Sequence, residues 1–283
     1  MKKIRARTES IFDENTERSV MVAFDHGTEG AIVGGEHVPG MLKKLSESDA
    51  DSLLLTVGLT RVYNATGRTI SEESPALCSG IDLPIFGAEI GSGEPLASTI
   101  CPWEPQDALD AGAEMCKMLL PLGLTNTNEW GSALRNIAHR ITEAERADIP
   151  LMLEPAFWGQ NSACKNDAAI ADAARLCVEL GAHVLKIPAP TDPTALEQLV
   201  DWSPVPVLVL GGTPRSGADF LEEVSRWMEH GARGVVVGRN VWNRPDPVAA
   251  IDALRHVVHD NDIKSARERM DNAGAPLGNI SNL

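Results

Sequence analysis

Short, nearly unbroken apolar runs recur along this chain, separated by stretches in which apolar residues return every three to four positions. The runs are Ser19–Phe24 (SVMVAF), Ser52–Val57 (SLLLTV), Leu83–Ala88 (LPIFGA), Met115–Leu120 (MCKMLL), Pro150–Glu154 (PLMLE), His183–Ile187 (HVLKI), Val205–Leu210 (VPVLVL) and Gly234–Val237 (GVVV). On average they begin about 31 residues apart, the length of one βα unit. Runs with so few polar breaks suit the strands of a parallel sheet, which is buried on both faces.

The stretches between them read as helices. Asn166–Ala182 places Ile170, Ala173, Ala174, Cys177 and Val178 on one face and reaches Gly181 where a left-handed cap belongs. Ser216 is placed to cap a helix running to Gly231, with Phe220, Leu221, Val224, Trp227 and Met228 as its apolar stripe. Trp130, Leu134, Ile137, Ala138 and Ile141 form a similar stripe after the fourth run. These aromatic and methionine side chains read as packing, not as a cofactor-binding surface.

Eight such units predict an α/β fold, a closed (β/α)8 TIM barrel, in preference to an open doubly wound sheet. No G-x-G-x-x-G opens a helix. The stretch Gly91–Leu96 (GSGEPL) lacks the third glycine and carries a proline, which disfavours a dinucleotide site. No composition shift or long Pro/Gly linker divides the chain. The expectation is one domain over residues 1–283, with a core at about 19–258 and an extension at each end.

Charge narrows the partners. The 283 residues include 25 Lys+Arg against 40 Asp+Glu, a net charge of −15. That excess argues against nucleic acid, which needs a basic stripe to meet phosphates. A small anionic substrate remains compatible, because a local arginine cluster outweighs charges beyond a Debye length of about 8 Å. No run approaches the roughly 20 apolar residues that span a bilayer. The start (MKKIRARTESIFDENTERS) carries positive charge but no apolar segment behind it, so no secretory signal is read there. The five cysteines, Cys78, Cys101, Cys116, Cys164 and Cys177, are odd in number and show no C-x-x-C spacing. Free thiols acting as small buried hydrophobes in a reducing cytoplasm fit best.

A barrel presents its chemistry at the C-terminal ends of its strands, and polar residues interrupt the runs there in three places. Alternation in HVLKIPAP puts Val184, Lys186 and Pro188 on one side. A lysine in a confined interior loses solvation, which favours the neutral, nucleophilic amine that Schiff-base chemistry needs. The same lysine could instead snorkel to solvent or pair with an acid. Asp25, with His26 and Gly27, ends the first run. An acid there could trade protons with a substrate hydroxyl, or simply cap a turn. Lys117 and Glu154 lie on the fourth and fifth runs. A second cation near Lys186 and a relaying carboxylate would assist the first reading; a buried ion pair between adjacent strands is the plain one.

The seventh and eighth runs end in LGGTPRSG and VGRNVW. Glycine-rich turns after these two strands are the usual barrel site for a phosphate. Gly211, Gly212 and Gly238 would supply backbone N–H groups, with Arg215 and Arg239 adding positive charge, unless these are merely tight turns.

VAFDHG, VLKIPAP, VLVLGGTP and GARGVVVGRNVWNRPDP, in this order, resemble the class I aldolases of the DeoC/FbaB/LacD barrel. That group includes archaeal-type fructose-bisphosphate, tagatose-bisphosphate and sulfofructose-phosphate aldolases and aminodideoxyheptulosonate synthases. The resemblance runs over about residues 19–258, and GRNVWNR is its most specific part. It implies that Lys186 forms the imine and that Asp25 is the family's strand-one aspartate. It implies phosphate loops at Gly211, Gly212, Gly238 and Arg239. The archaeal fructose-bisphosphate branch carries a tyrosine after strand five, where this chain reads Leu153-Glu154-Pro155-Ala156-Phe157 and has its single tyrosine at Tyr63. LMLEPAF and KMLLPLG look more like the tagatose-bisphosphate and sulfosugar-phosphate branch.

The expected activity is a metal-independent class I aldolase, needing no cofactor, that cleaves or forms a C–C bond in a phosphorylated or sulfonated ketose and releases a dihydroxyacetone-phosphate-like product. The alternatives are a thiolase- or synthase-type member of the same family and a non-catalytic sugar-phosphate-binding regulator. A zinc aldolase is disfavoured because the seven histidines show no H-x-x-x-H spacing. The resemblance further implies a homo-oligomer.

Overall fold

Period-2 alternation, applied to eight parallel strands at once, builds the interior of this protein. The computed structural model describes residues 2–29, 33–65, 74–85, 96–124, 126–157 and 165–278. Strands β1 (Ser19–Ala23), β2 (Ser52–Thr56), β3 (Ala76–Gly80), β6 (Met115–Leu122), β7 (Leu151–Phe157), β8 (Val184–Pro188), β9 (Val207–Leu210) and β10 (Gly234–Val237) close into a barrel in the order β1-β10-β9-β8-β7-β6-β3-β2. Every pairing in it is parallel, as the buried apolar runs require. Two further strands, β4 (Leu83–Ile85) and β5 (Leu96–Ile100), pair antiparallel outside the barrel.

Each barrel strand sends one set of side chains inward. Met21, Leu54, Cys78, Met115, Met152, Val184, Leu208 and Val236, one from each strand, pack together as a buried layer inside the barrel. Ile11, fully buried, joins that layer, so the N-terminal segment closes this end of the interior. The segment begins with helix α1 (Lys2–Glu9), whose Ile4 is also buried. The neighbouring residues on each strand face outward and meet the helices in a second, larger core.

The outer helices are α2 (Val38–Ser46), α3 (Val57–Ala65), α4 (Pro105–Asp110), α5 (Thr127–Arg146), α6 (Asp167–Leu180), α7 (Pro193–Trp202), α8 (Gly217–Glu229), α9 (Arg239–Trp242), α10 (Pro247–Val258) and α11 (Ile263–Ala273). The Asn166 side chain accepts the Ala169 N–H at 2.9 Å to start α6, and Gly181 ends it at φ 103°. The Ser216 hydroxyl caps α8, and all five stripe residues expected of that helix are buried. On α5 the buried face is Ile137, Ile141 and Ala144, with Trp130 and Leu134 partly covered. Ala138 is exposed, because one further residue turns it about 100° away from Ile137.

The third strand differs from the sequence expectation. The barrel uses Ala76–Gly80, and Leu83–Ile85 belongs to the outer hairpin; residues 86–88 lie outside the described residues. The reason is composition: ALCSG has one large apolar residue, Leu77, among small ones and a serine, so its apolar signal is weaker than that of LPIF beside it. Gly91–Pro95 of GSGEPL lies outside the described residues, and Leu96 begins β5. Among the described residues, no helix is long and apolar enough to cross a membrane. Cys78, Cys101, Cys116 and Cys177 are free thiols, and Cys164 lies outside the described residues.

Candidate active site

Two residues beyond the apolar layer, the same alternation points the next inward positions at the C-terminal mouth of the barrel. Stepping from Met115, Met152 and Val184 reaches Lys117, Glu154 and Lys186; stepping from Ala23 reaches Asp25, and from Val236 reaches Gly238. All five line one cavity of about 360 Å³. The three charged strand residues therefore occupy positions the fold would otherwise fill with apolar side chains.

Lys117 and Lys186 are both buried, at 4% and 6% exposure. Both ammonium groups reach the same carboxylate oxygen, Glu154 Oε2, at 2.8 Å each. Burial works against the charged form of Glu154, but the two ammoniums and their hydrogen bonds outweigh it and hold the carboxyl down at about 2. Burial likewise opposes the Lys117 charge, and the carboxylates of Glu154, Asp25 and Asp82 overcome it and raise the ammonium above its ordinary value. Beneath them, burial pushes the Cys78 thiol up to about 12 against the pull of Lys117, so it remains a neutral packing group.

Asp25 follows β1 and lies on the cavity wall. His26 Nδ1 lies 3.3 Å from Asp25 Oδ1 without hydrogen-bond geometry. Trp242 of α9 packs against this end of β1. Its indole N–H donates to the Ala23 carbonyl at 2.9 Å, and its ring meets His26 edge-on at 5.6 Å and Phe24 at 6.1 Å. The segment GRNVWNR thus acquires a physical meaning residue by residue. A Cβ on Gly238 would stand 2.8 Å from the Ala23 carbonyl and 2.9 Å from His26, so only glycine lets this turn approach β1. Asn240 donates to the Gly211 and Thr213 carbonyls and accepts the Arg215 N–H, which ties the two glycine turns together. Arg244, buried, donates to the carbonyls of Asn240, Arg215 and Gly274.

The two arginines read as anion ligands are separated by the structure. Arg239 lines the cavity and has no ion pair or side-chain hydrogen bond among the described residues. Arg215 lines a neighbouring cavity and pairs with Glu223. Gly211 and Gly212 border the main cavity, and Gly212 has φ +67°. Of the ten residues singled out from sequence, nine line this mouth; Arg215 lines the neighbouring cavity, which shares Lys165, Leu210 and Gly212 with it.

Two residues of the wall escaped the sequence reading. Lys165 lines the cavity edge and has no ion pair among the described residues. Asp82 follows β3 and is buried at 5% exposure. Its signal was present: Cys78, Gly80 and Asp82 step inward with period 2, once β3 is placed at ALCSG instead of LPIF.

The mouth of this closed parallel barrel thus holds a buried lysine pair on one acid. Residues 19–244 match the DeoC/LacD family aldolases, and the chain belongs to that family. It is 30% identical to the class 1 fructose-bisphosphate aldolase of Halobacterium salinarum over 247 residues, 85% of this chain and 90% of that one. It is 28% identical to the 3-hydroxy-5-phosphonooxypentane-2,4-dione thiolase of Salmonella typhimurium over 260 residues, 92% of this chain and 83% of that one. A solved Schiff-base-forming fructose-1,6-bisphosphate aldolase superposes with TM-score 0.73 at 25% identity, covering 90% of this chain and 100% of that one.

Proposed function

We propose that this chain is a metal-independent class I aldehyde-lyase acting on a phosphorylated or sulfonated ketose, nearer in type to tagatose-bisphosphate and sulfofructose-phosphate aldolases. The observation that carries the reading is the convergence of Lys186 and Lys117 on one oxygen of Glu154. An imine former must shed a proton before it attacks, and Glu154 stands at hydrogen-bond distance to take it. Lys186 then adds to the ketone carbon, the carbinolamine loses water, and an iminium remains. A base removes the C4 hydroxyl proton, the C3–C4 bonding electrons move into the iminium, and an aldehyde leaves with the enamine still on Lys186. Protonation and hydrolysis release the dihydroxyacetone-phosphate-like product and the free amine. The iminium is the electron sink, so the step needs no metal.

Asp25 and Glu154 are the two acids available for the hydroxyl. Asp25 has no lysine or arginine ion pair among the described residues, whereas Glu154 carries two, which favours Asp25 as that base. Gly211, Gly212, Gly238 and Arg239 would hold the anion at the far side of the cavity. Binding energy from that remote group orients the ketone against Lys186. A thiolase-type reaction on the same lysine is the second reading, favoured by the likeness to the Salmonella enzyme. The proposal extends to one catalytic domain over the chain, assembled as a cytoplasmic homo-oligomer.

The test is a panel of ketose monophosphates, bisphosphates and a sulfonated analogue, assayed for aldehyde release with and without EDTA. Aldehyde release that survives the chelator is expected. Activity lost in EDTA and restored by zinc would overturn the class I reading, and acyl transfer without aldehyde release would select the second one.

A further inference from the structure

Asp82 occupies the turn between β3 and β4, beside the lysine pair. Its Oδ2 accepts the Leu119 N–H of β6 at 2.9 Å, continuing the ladder where β3 has ended. That bond fixes the carboxyl but uses only one of its oxygens. Oδ1 is buried and has no hydrogen-bond partner among the described residues. A buried, unpartnered carboxyl oxygen is costly and calls for a role. The charged and titratable groups acting on it are Lys117 and Cys116 from β6, Glu154 from β7, and Cys101 beyond β5; the charge of Asp25 also acts on Lys117.

Glu154 meanwhile is over-subscribed. With two ammoniums on one oxygen it is a weak base, yet the proposed first step asks it to take a proton from Lys186. Releasing Lys117 would raise its basicity, and Asp82, whose charge acts on Lys117 in the same cavity, has a free oxygen to accept it. We propose that Asp82 is a positioning residue: when ionised, it draws the Lys117 ammonium away from Glu154 and leaves that carboxylate to serve Lys186 alone. The proton then moves from the Lys186 ammonium to the Glu154 carboxylate, giving a neutral amine and a neutral acid, with no net change in charge. Burial pushes the Asp82 carboxyl up to about 7, against the Lys117 ammonium and the Leu119 N–H, so both states are accessible near neutrality.

This inference rests on Lys186 as the imine former, and its test separates the two. Asp82→Asn keeps an oxygen for the Leu119 N–H but cannot ionise. In wild type, kcat/KM should climb through pH 7, and the variant should lack that limb. Asp82→Asn should match wild type within about threefold at pH 6 and fall about tenfold below it at pH 8, one unit of Glu154 basicity. Borohydride trapping should still label Lys186 in the variant. Without substrate, infrared spectra of wild type recorded across pH should show a protonated-carboxyl band that titrates near pH 7, above the ordinary carboxyls, and is missing in Asp82→Asn. A uniform loss of rate with an unchanged pH profile would make Asp82 a structural cap only and overturn the proposal. So would absence of the infrared band in a folded wild-type protein. No trapped imine in wild type at any pH would instead sink the aldolase reading, whatever the infrared result.

Discussion

Arg239→Ala isolates the anion end of the site. Arg239 lines the cavity, its guanidinium is unpaired among the described residues, and it follows the turn in which Gly238 packs against β1. Truncation therefore breaks no intramolecular ion pair, and the fold should be nearly unaffected. A charge-assisted hydrogen bond contributes about 1.5–3 kcal/mol, which is about ten- to a hundredfold in kcat/KM. Steady-state assays on an anionic ketose should show that loss, and the same sugar without its anionic group should be turned over with wild-type efficiency. Arg215→Ala is the control. Its guanidinium is committed to Glu223, about a third exposed on each side, and an ion pair of that kind contributes about 0–1 kcal/mol. Its backbone N–H to Asn240 and its carbonyl to Arg244 survive the change, so kcat/KM should move less than about threefold. Equal losses on charged and uncharged sugars would show that Arg239 supports the barrel and not the ligand. A larger loss in Arg215→Ala than in Arg239→Ala would refute the separation of the two arginines.

Three further outcomes follow from the same geometry. Asp25→Asn should slow aldehyde release by about 10²–10⁴ while leaving borohydride trapping at Lys186 intact, because a positioned base is lost and the nucleophile is kept; near-normal turnover would transfer the role to Glu154. Glu154→Gln should destabilise the protein at pH 7 about twice as much as at pH 3 in denaturant unfolding. The Glu154 carboxyl lies at about 2 in the fold against 4.5 when free, so its pairing stabilises above pH 4.5 and is lost as pH falls towards 2, a contribution on the order of 3 kcal/mol. An equal destabilisation at both pH values would show that its charge is not what holds the lysines. Trp242→Phe leaves the Ala23 carbonyl without its indole donor, which should cost about 1–3 kcal/mol, lower Tm by several degrees and reduce kcat through Asp25 and His26; a change in Tm with kcat intact would confine Trp242 to packing.

Where one side chain alternates against a strong apolar background, the sequence was informative. Lys186, Lys117 and Glu154 each interrupt an otherwise apolar run two residues beyond an inward-facing Val184, Met115 or Met152, and the barrel brings them to one mouth. Stripes on α6 and α8 were equally legible, because Asn166, Gly181 and Ser216 mark their ends. Strand β3 was not, since Leu77 is its one large apolar residue and the small residues around it leave a weak pattern. That misplacement also hid Asp82, which looks like a turn residue until Cys78 and Gly80 are seen to face inward. Arg215 and Arg239 are indistinguishable in sequence, each closing a glycine turn. Only the packing of α8, which brings Glu223 to Arg215, decides which of them stays free. The meeting of two ammoniums on a single oxygen of Glu154 depends on strand register, and no spacing encodes it.

Trapping the covalent intermediate tests the central claim most directly. Borohydride added to the protein with a phosphorylated ketose should reduce the iminium and leave a permanent mass increment on one lysine, mapped by peptide mass spectrometry. The account predicts the increment on the peptide carrying Lys186, absent in Lys186→Met. An increment on Lys117, or turnover with no trapped adduct, would contradict it.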